Sequence, residues 1–184
     1  DRDSLVNLRL GLLTTDTGKR EAYLRQALLL APQWSYARAV LANFLLEQGR
    51  SREALQFTAG HDEDSVEIFL VHASVLLHLG WYEQAANNFQ RALKEMDVQD
   101  SAILADLWFA FLNSGDLKGA SHIARSAKKK YPREEQWKVR LARTFFQMGD
   151  LDKTEALIDV ISSIDQNRQA VWDLSYDLAV ERQD

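Results

Sequence analysis

Four histidines, His61, His72, His78 and His122, are the side chains of this sequence most able to bind a metal or move a proton. His72 and His78 stand six positions apart, so they do not share a helix face as a pair four apart would, and no acidic residue completes a ligand set. No metal site is expected. The run His61-Asp62-Glu63-Asp64 could attract a cation, but it lacks the alternating ligands and central glycine of a calcium loop, and it reads as a solvated linker. Lys128-Lys129-Lys130 closes a helical segment, where positive charge complements the carbonyl end of the helix dipole. It reads as that bias rather than as a phosphate site. No serine stands in a nucleophile elbow, no glycine-rich loop could cradle phosphate, and no pair of carboxylates is set apart by its surroundings. No catalytic, cofactor-binding or metal-binding residue is therefore assigned, and the chain is expected not to be an enzyme.

The composition narrows the partners. The 184 residues are 46% hydrophobic, enough to bury a sizeable core. No run approaches the roughly 18 apolar residues of a membrane span, and no basic-then-apolar leader opens the chain; a soluble piece of protein is expected. The net charge of -5 is spread along the sequence, without the basic stripe that duplex nucleic acid requires. Nucleic acid is not an expected ligand. Cysteine is absent, which excludes disulfides and thiolate chemistry and suits the periplasm as well as the cytosol.

The elements that would carry a function follow from glycine spacing. Gly49, Gly80, Gly115 and Gly149 each end one amphipathic run and precede the next, at intervals of 31, 35 and 34 residues. Each suits a left-handed turn between two helices, a conformation unfavourable for residues with a β-carbon. The flanks repeat too. Leu104, Leu107, Trp108, Phe111 and Leu112 recur at helical spacing before Gly115, and Ala120, Ile123, Ala124 and Ala127 follow it, until Pro132 stops the helix near Tyr131. Phe69, Ala73 and Leu76 before Gly80, then Ala85, Phe89 and Ala92, repeat the pattern. So do Leu41, Ala42, Leu45 and Ala54 around Gly49, and Leu141, Ala142 and Phe145 before Gly149. The class is all-α, a single array over 1–184: an irregular repeat 1–33, repeats 35–65, 66–100, 101–134 and 135–168, and a half repeat or capping helix 169–184. The small residues Ala42, Ala73, Ala85, Ala120 and Ala142 mark close helix contacts.

These residues resemble the tetratricopeptide repeat (TPR), a helix-turn-helix unit of about 34 residues. The resemblance is strongest over 66–97. It departs at Trp108, where the family carries a small residue, at Thr154, which replaces an alanine, and at Gly18, which lies three residues late for a first turn. It implies an α-solenoid, a right-handed superhelix of helical hairpins whose first helices line a concave groove. The apolar opening run Leu5, Leu8, Leu10, Leu12 and Leu13 and the final half hairpin suggest a longer parent array, because terminal repeats need polar caps.

On the family's geometry the partner-binding groove is formed by Tyr36, Asn43 and Glu47; Leu70, Ser74 and His78; Phe109 and Asn113; and Arg143, Phe146 and Gln147. Neighbouring groove positions include Ala39, Leu46, Leu77 and Leu112; the three leucines serve interhelical core equally well, and the core reading extends to Phe109 and Asn113. The mixture of apolar and amide side chains suits an extended peptide or an amphipathic helix. The family's clamp for acidic carboxyl-terminal tails needs cations where Ala39, Leu70, Ala105 and Val139 stand here, so that ligand is not expected. The leading reading is a non-catalytic scaffold that binds a protein or peptide partner within a larger assembly. The alternative is a structural spacer or docking segment of a bacterial periplasmic array, as in exopolysaccharide export proteins, where the five tryptophans could meet sugar rings. A third reading is a regulator that occludes an enzyme.

Overall fold

A computed structural model describes residues 2–59, 65–96, 100–162 and 168–182. The acidic run 61–64, with His61, lies outside the described residues. The chain divides into two compact units, Asp1–Val98 and Gln99–Asp184. Unit 1 contains three antiparallel pairs: α1 (Arg2–Leu13) with α2 (Thr17–Leu30), α3 (Ser35–Glu47) with α4 (Ser51–Thr58), and α5 (Val66–His78) with α6 (Tyr82–Glu95). Unit 2 contains α7 (Ser101–Ser114) with α8 (Leu117–Lys130), α9 (Gln136–Gln147) with α10 (Leu151–Ser162), and then α11 (Arg168–Glu181). The all-α expectation holds: the described residues contain no strand. No helix among them is long and apolar enough to cross a membrane.

The turns follow from the glycines. Gly49, Gly80, Gly115 and Gly149 have φ of 73°, 78°, 83° and 74°, the left-handed region. At Gly49 the backbone N–H groups of Arg50 and Gly49 donate to the carbonyls of Leu45 and Leu46 at 2.8 and 2.9 Å, satisfying two of the orphan acceptors at the end of α3. Trp81 and Gly80 repeat both bonds on α5, and Asp150 and Gly149 repeat them on α9. The first pair uses other chemistry. Gly18 falls inside the first turn of α2, and Asp16 caps that helix by accepting from the Lys19 N–H at 2.8 Å. The α1–α2 turn therefore closes with a side-chain cap instead of a glycine.

Packing is carried by alanine. Ala42, Ala73, Ala85, Ala120 and Ala142 have no exposed surface, as close helix contacts require. In unit 1 a core of Leu8, Leu24, Leu41, Phe44, Leu45 and Val75 closes around Ala27, Ala42 and Ala54. In unit 2 Ala142, Ile158 and Ile161 pack with Val171, Leu174 and Leu178 of α11. Thr154 is buried in place of an alanine because its hydroxyl donates to the Asp150 carbonyl at 2.9 Å, so no polar group is stranded.

A four-membered ring of charge ties α2 to α4. Glu21 and Arg25 of α2 alternate with Arg50, in the glycine turn, and Glu53 of α4. Arg25 and Arg50 each reach Glu21 at 2.7 Å; Arg50 meets Glu53 at 2.6 Å, and Arg25 also pairs with Glu53. Hydrogen bonding from the Arg50 guanidinium, joined by Arg25, holds the Glu21 carboxyl below its ordinary value; Arg25 and then Arg50 do the same to Glu53.

Two outcomes follow. An added β-carbon at Gly80 meets nothing within 4 Å, so substitution there tests backbone conformation alone. Gly80→Ala should cost about 1–2 kcal/mol in urea unfolding, and Gly80→Asn less, because asparagine tolerates the left-handed region. Equal stability of all three forms would contradict the turn assignment. Because both carboxyls are depressed on folding, the ring's stabilisation is complete above the ordinary value of 4.5 and disappears as pH falls through the lower folded values. Plotted as Tm against pH, the parent should lose stability on this acid limb, and Glu21→Gln/Glu53→Gln should be less stable at neutral pH with a shallower limb. Parallel limbs would argue against the ring.

Candidate partner-binding faces

In unit 1 the outward row of α3 holds Tyr36, Asn43 and Glu47, which lie within roughly 40° of one another at 100° per residue. All three are exposed. Tyr36 is 45% exposed, with its ring tilted against Trp34 at a centroid distance of 6.5 Å. The Asn43 amide donates to Glu47 at 2.9 Å, and Arg20 of α2 approaches the same carboxylate at 3.6 Å. Glu47 therefore also ties α3 to α2. Ala39, on the same side by spacing, is buried and offers a partner nothing.

α3 and α5 come into close backbone contact, which sets a second row beside the first. There Leu70 and Ser74 are half-buried and His78 is exposed. The Ser74 hydroxyl donates to the Leu70 carbonyl at 3.0 Å, and His78 Nδ1 lies 2.8 Å from the Ser74 carbonyl. A carbonyl only accepts, so Nδ1 is the donor of this bond and Nε2 is not used in it. Leu46 and Leu77 are half-buried.

Unit 2 carries the other five candidates. Phe109 on α7 is 41% exposed, and Asn113, one turn on, donates its amide to the Phe109 carbonyl at 2.8 Å. Leu112 is buried and belongs to the core. On α9, Arg143 and Gln147 are exposed, whereas Phe146 is half-buried against the cluster formed with α10 and α11. Phe146 thus divides its surface between core and face.

The spacing of α7 and α9 depends on residues outside the candidate list. Trp108, only 6% exposed, donates its indole N–H to the Thr144 hydroxyl of α9 at 2.9 Å. In the opposite direction, Trp137 of α9 donates to the Ser101 hydroxyl of α7 at 3.1 Å. The Arg140 guanidinium lies over both rings, 5.7 Å from Trp108 and 4.7 Å from Trp137. Burial there pulls the Arg140 pKa down, and the carboxylates of Glu134 and Asp106 oppose that shift. The backbones of α7 and α9 hardly approach one another, in contrast to α3 and α5. Trp108 fills the gap where an alanine would have let them close. A cation three residues after a tryptophan, as in Trp137-Lys138-Val139-Arg140, is the sequence signal for this stack.

These faces present aromatic area beside amide, imidazole and guanidinium groups, with the candidates tied mainly to their own helices. No protein-family model matches the sequence, and no curated protein matches it. Solved structures do. MamA is 12% identical with a TM-score of 0.74, over 97% of this chain and 94% of that one. YrrB, a TPR protein with an unusual peptide-binding site, is 17% identical with a TM-score of 0.75, over 98% of this chain and 92% of that one. Pseudomonas aeruginosa PilF is 18% identical with a TM-score of 0.68, over 100% of this chain and 86% of that one. At such identities the likeness is one of fold, and the chain has the α-solenoid fold of tetratricopeptide-repeat proteins, as its repeat pattern implied.

Neighbouring residues on α7 should respond to truncation with very different magnitudes. Trp108→Ala should cost about 3–5 kcal/mol in urea unfolding, through a cavity and a lost hydrogen bond. Phe109→Ala should cost about 0.5 kcal/mol, as an exposed position does. Equal costs would show that the α7 register is wrong.

Proposed function

We propose that this chain, folded as tetratricopeptide-repeat proteins fold, is a non-catalytic scaffold that holds a peptide or helix of a partner protein on the outward faces of its first helices. The observation that carries the reading is Phe109: a phenyl ring 41% exposed, beside an asparagine whose amide is already oriented by its own helix. An exposed ring gains about 2 kcal/mol or more when a partner desolvates it. The amide oxygen and second N–H of Asn113 then remain to pair with a peptide backbone. Tyr36 and Asn43 offer the same combination on α3. The match to YrrB, which is described by a peptide-binding site, supports the class of ligand without naming it.

The test is recovery of partners from the native source with the parent chain and with Phe109→Ala/Asn113→Ala/Arg143→Ala, after circular dichroism shows both folded. A partner held by the parent should fall at least about thirtyfold in apparent affinity in the variant, the loss of one aromatic anchor. Equal recovery would move the site off the α7–α9 face. With Tyr36→Ala/Asn43→Ala equally silent, the first-helix reading would fail. Recovery of nothing by the parent would favour a structural spacer within a longer array.

A further inference from the structure

The outer face of α8 presents charge that helix stability does not explain. Lys118, His122, Arg125 and Lys129 follow one another at intervals of four, three and four residues, which places them within about 60° of one another over a length of about 16 Å. All four are exposed, opposite the buried Ala120, Ala124 and Ala127. Lys130 adds to the charge in the last turn, and Arg133 extends it beyond the helix. α8 contains no acidic residue. A C-terminal dipole bias accounts for Lys128, Lys129 and Lys130 only, since it fades within one turn. Lys118 sits in the first turn, where the dipole opposes a cation.

Several cations elsewhere in the described residues meet carboxylates: Arg25 and Arg50 in the ring, Lys138 with Glu135, Lys153 with Asp150, and Arg182 with Glu155. Among the described residues, none of the α8 cations has such a partner. Arg125 instead lies over the Phe145 ring at 5.4 Å, and Lys153 of α10 lies over the same ring at 5.5 Å, which brings α10 alongside α8. α10 exposes Asp152, Glu155 and Asp159. Asp152 and Glu155 are met by Arg182, just past α11, and the positive strip is bounded by its own width, about 60° of one helix.

We propose that this strip is a second docking surface, separate from the first-helix faces, and that it takes an acidic helix of a partner protein. Carboxylates at three- and four-residue spacing on such a helix recur at the same rise as the α8 cations, so one helix laid along α8 can neutralise the row. A membrane or a duplex is wider than the strip, which fills only about 60° of one helix. The row also has no apolar side chain to insert into lipid and no aromatic ring to stack on bases. Lysines on flexible stems tolerate small errors of register, and the attraction weakens with salt.

The probe is a fluorescein-labelled helical peptide with glutamates at that spacing, titrated by anisotropy against the folded chain at low and at physiological ionic strength. Its partner control carries glutamine in place of glutamate. The variant Lys118→Gln/Arg125→Gln/Lys129→Gln should bind about tenfold more weakly, the loss of three exposed ion pairs. Lys19→Gln/Arg52→Gln/Lys94→Gln, with the same change of charge, should bind as the parent does. If circular dichroism shows the first variant unfolded, Lys118→Ala/Arg125→Ala/Lys129→Ala takes its place. Equal weakening in both charge variants would reduce the effect to net charge and overturn the proposal. So would binding of the glutamine peptide, or no binding by the parent. Tighter α8-dependent binding to phosphatidylglycerol vesicles or to duplex DNA than to the peptide would overturn it in favour of that polyanion.

Discussion

A helix of a dozen residues is marginal in water, because the cost of its first turn is spread over too few hydrogen bonds. Nearly every helix here has 12 to 14 residues, and α4 has only eight. Each therefore exists only while a neighbour covers its apolar stripe. Alanine makes the cover close. With Ala85, Ala120 and Ala142 wholly buried, helix pairs approach until larger side chains on either side interlock, and small volume errors would be felt at once. The glycine turns serve the same requirement, since they reverse the chain without adding residues that would need burial of their own. What remains outside these contacts is the outward row of each first helix and the far face of each second one.

The parts of this arrangement written at short range were legible in the sequence. Left-handed glycines, buried alanines and the stop before Pro132 are local matters of backbone geometry and side-chain volume, so spacing alone located them. Gly18 is out of phase for a turn and lies inside α2; what spacing did not show is that the Asp16 side chain caps the helix in place of a turn glycine. Trp108 looked like an error in the repeat. It proved to be a spacer whose donor is answered by Thr144, 36 residues on, and no periodicity links those two positions. The charged ring has the same character, since Glu21 and Arg50 meet across 29 residues of sequence. The candidate faces were legible only in part. A helical wheel gives direction but not the depth of a neighbour, so it could not separate exposed Phe109 from buried Leu112 or from Ala39 beneath its row.

Charge is distributed by a comparable logic. Where two helices must be held, as α2 and α4 are, acids and bases alternate so that each guanidinium sees two carboxylates and each carboxylate two guanidinium groups. Neighbouring attraction outweighs the like-charge repulsion across the ring's diagonals, and its members are depressed or raised in the directions that attraction dictates. Arg140 is the opposite case. Its charge is kept in a half-buried place by the faces of two indoles, which attract a cation through their quadrupoles and lose little by desolvation. An arginine there costs less than a lysine would, since a guanidinium is the more weakly hydrated ion.

Preorganisation separates the two kinds of surface that remain. On the first-helix faces Asn43 is held by Glu47, Ser74 and His78 by carbonyls of α5, and Asn113 by the Phe109 carbonyl. Side chains already fixed in this way lose little rotamer freedom when a partner arrives, and an aromatic ring has few rotamers to lose, so most of the gain from desolvating Tyr36 or Phe109 would survive as affinity. Lys118 and Lys129 of α8 have long stems and no ion pair among the described residues, which suits attraction at a distance more than discrimination at contact. Specificity would then rest with the amides and rings of the first helices, and the rate of encounter with the charge on α8.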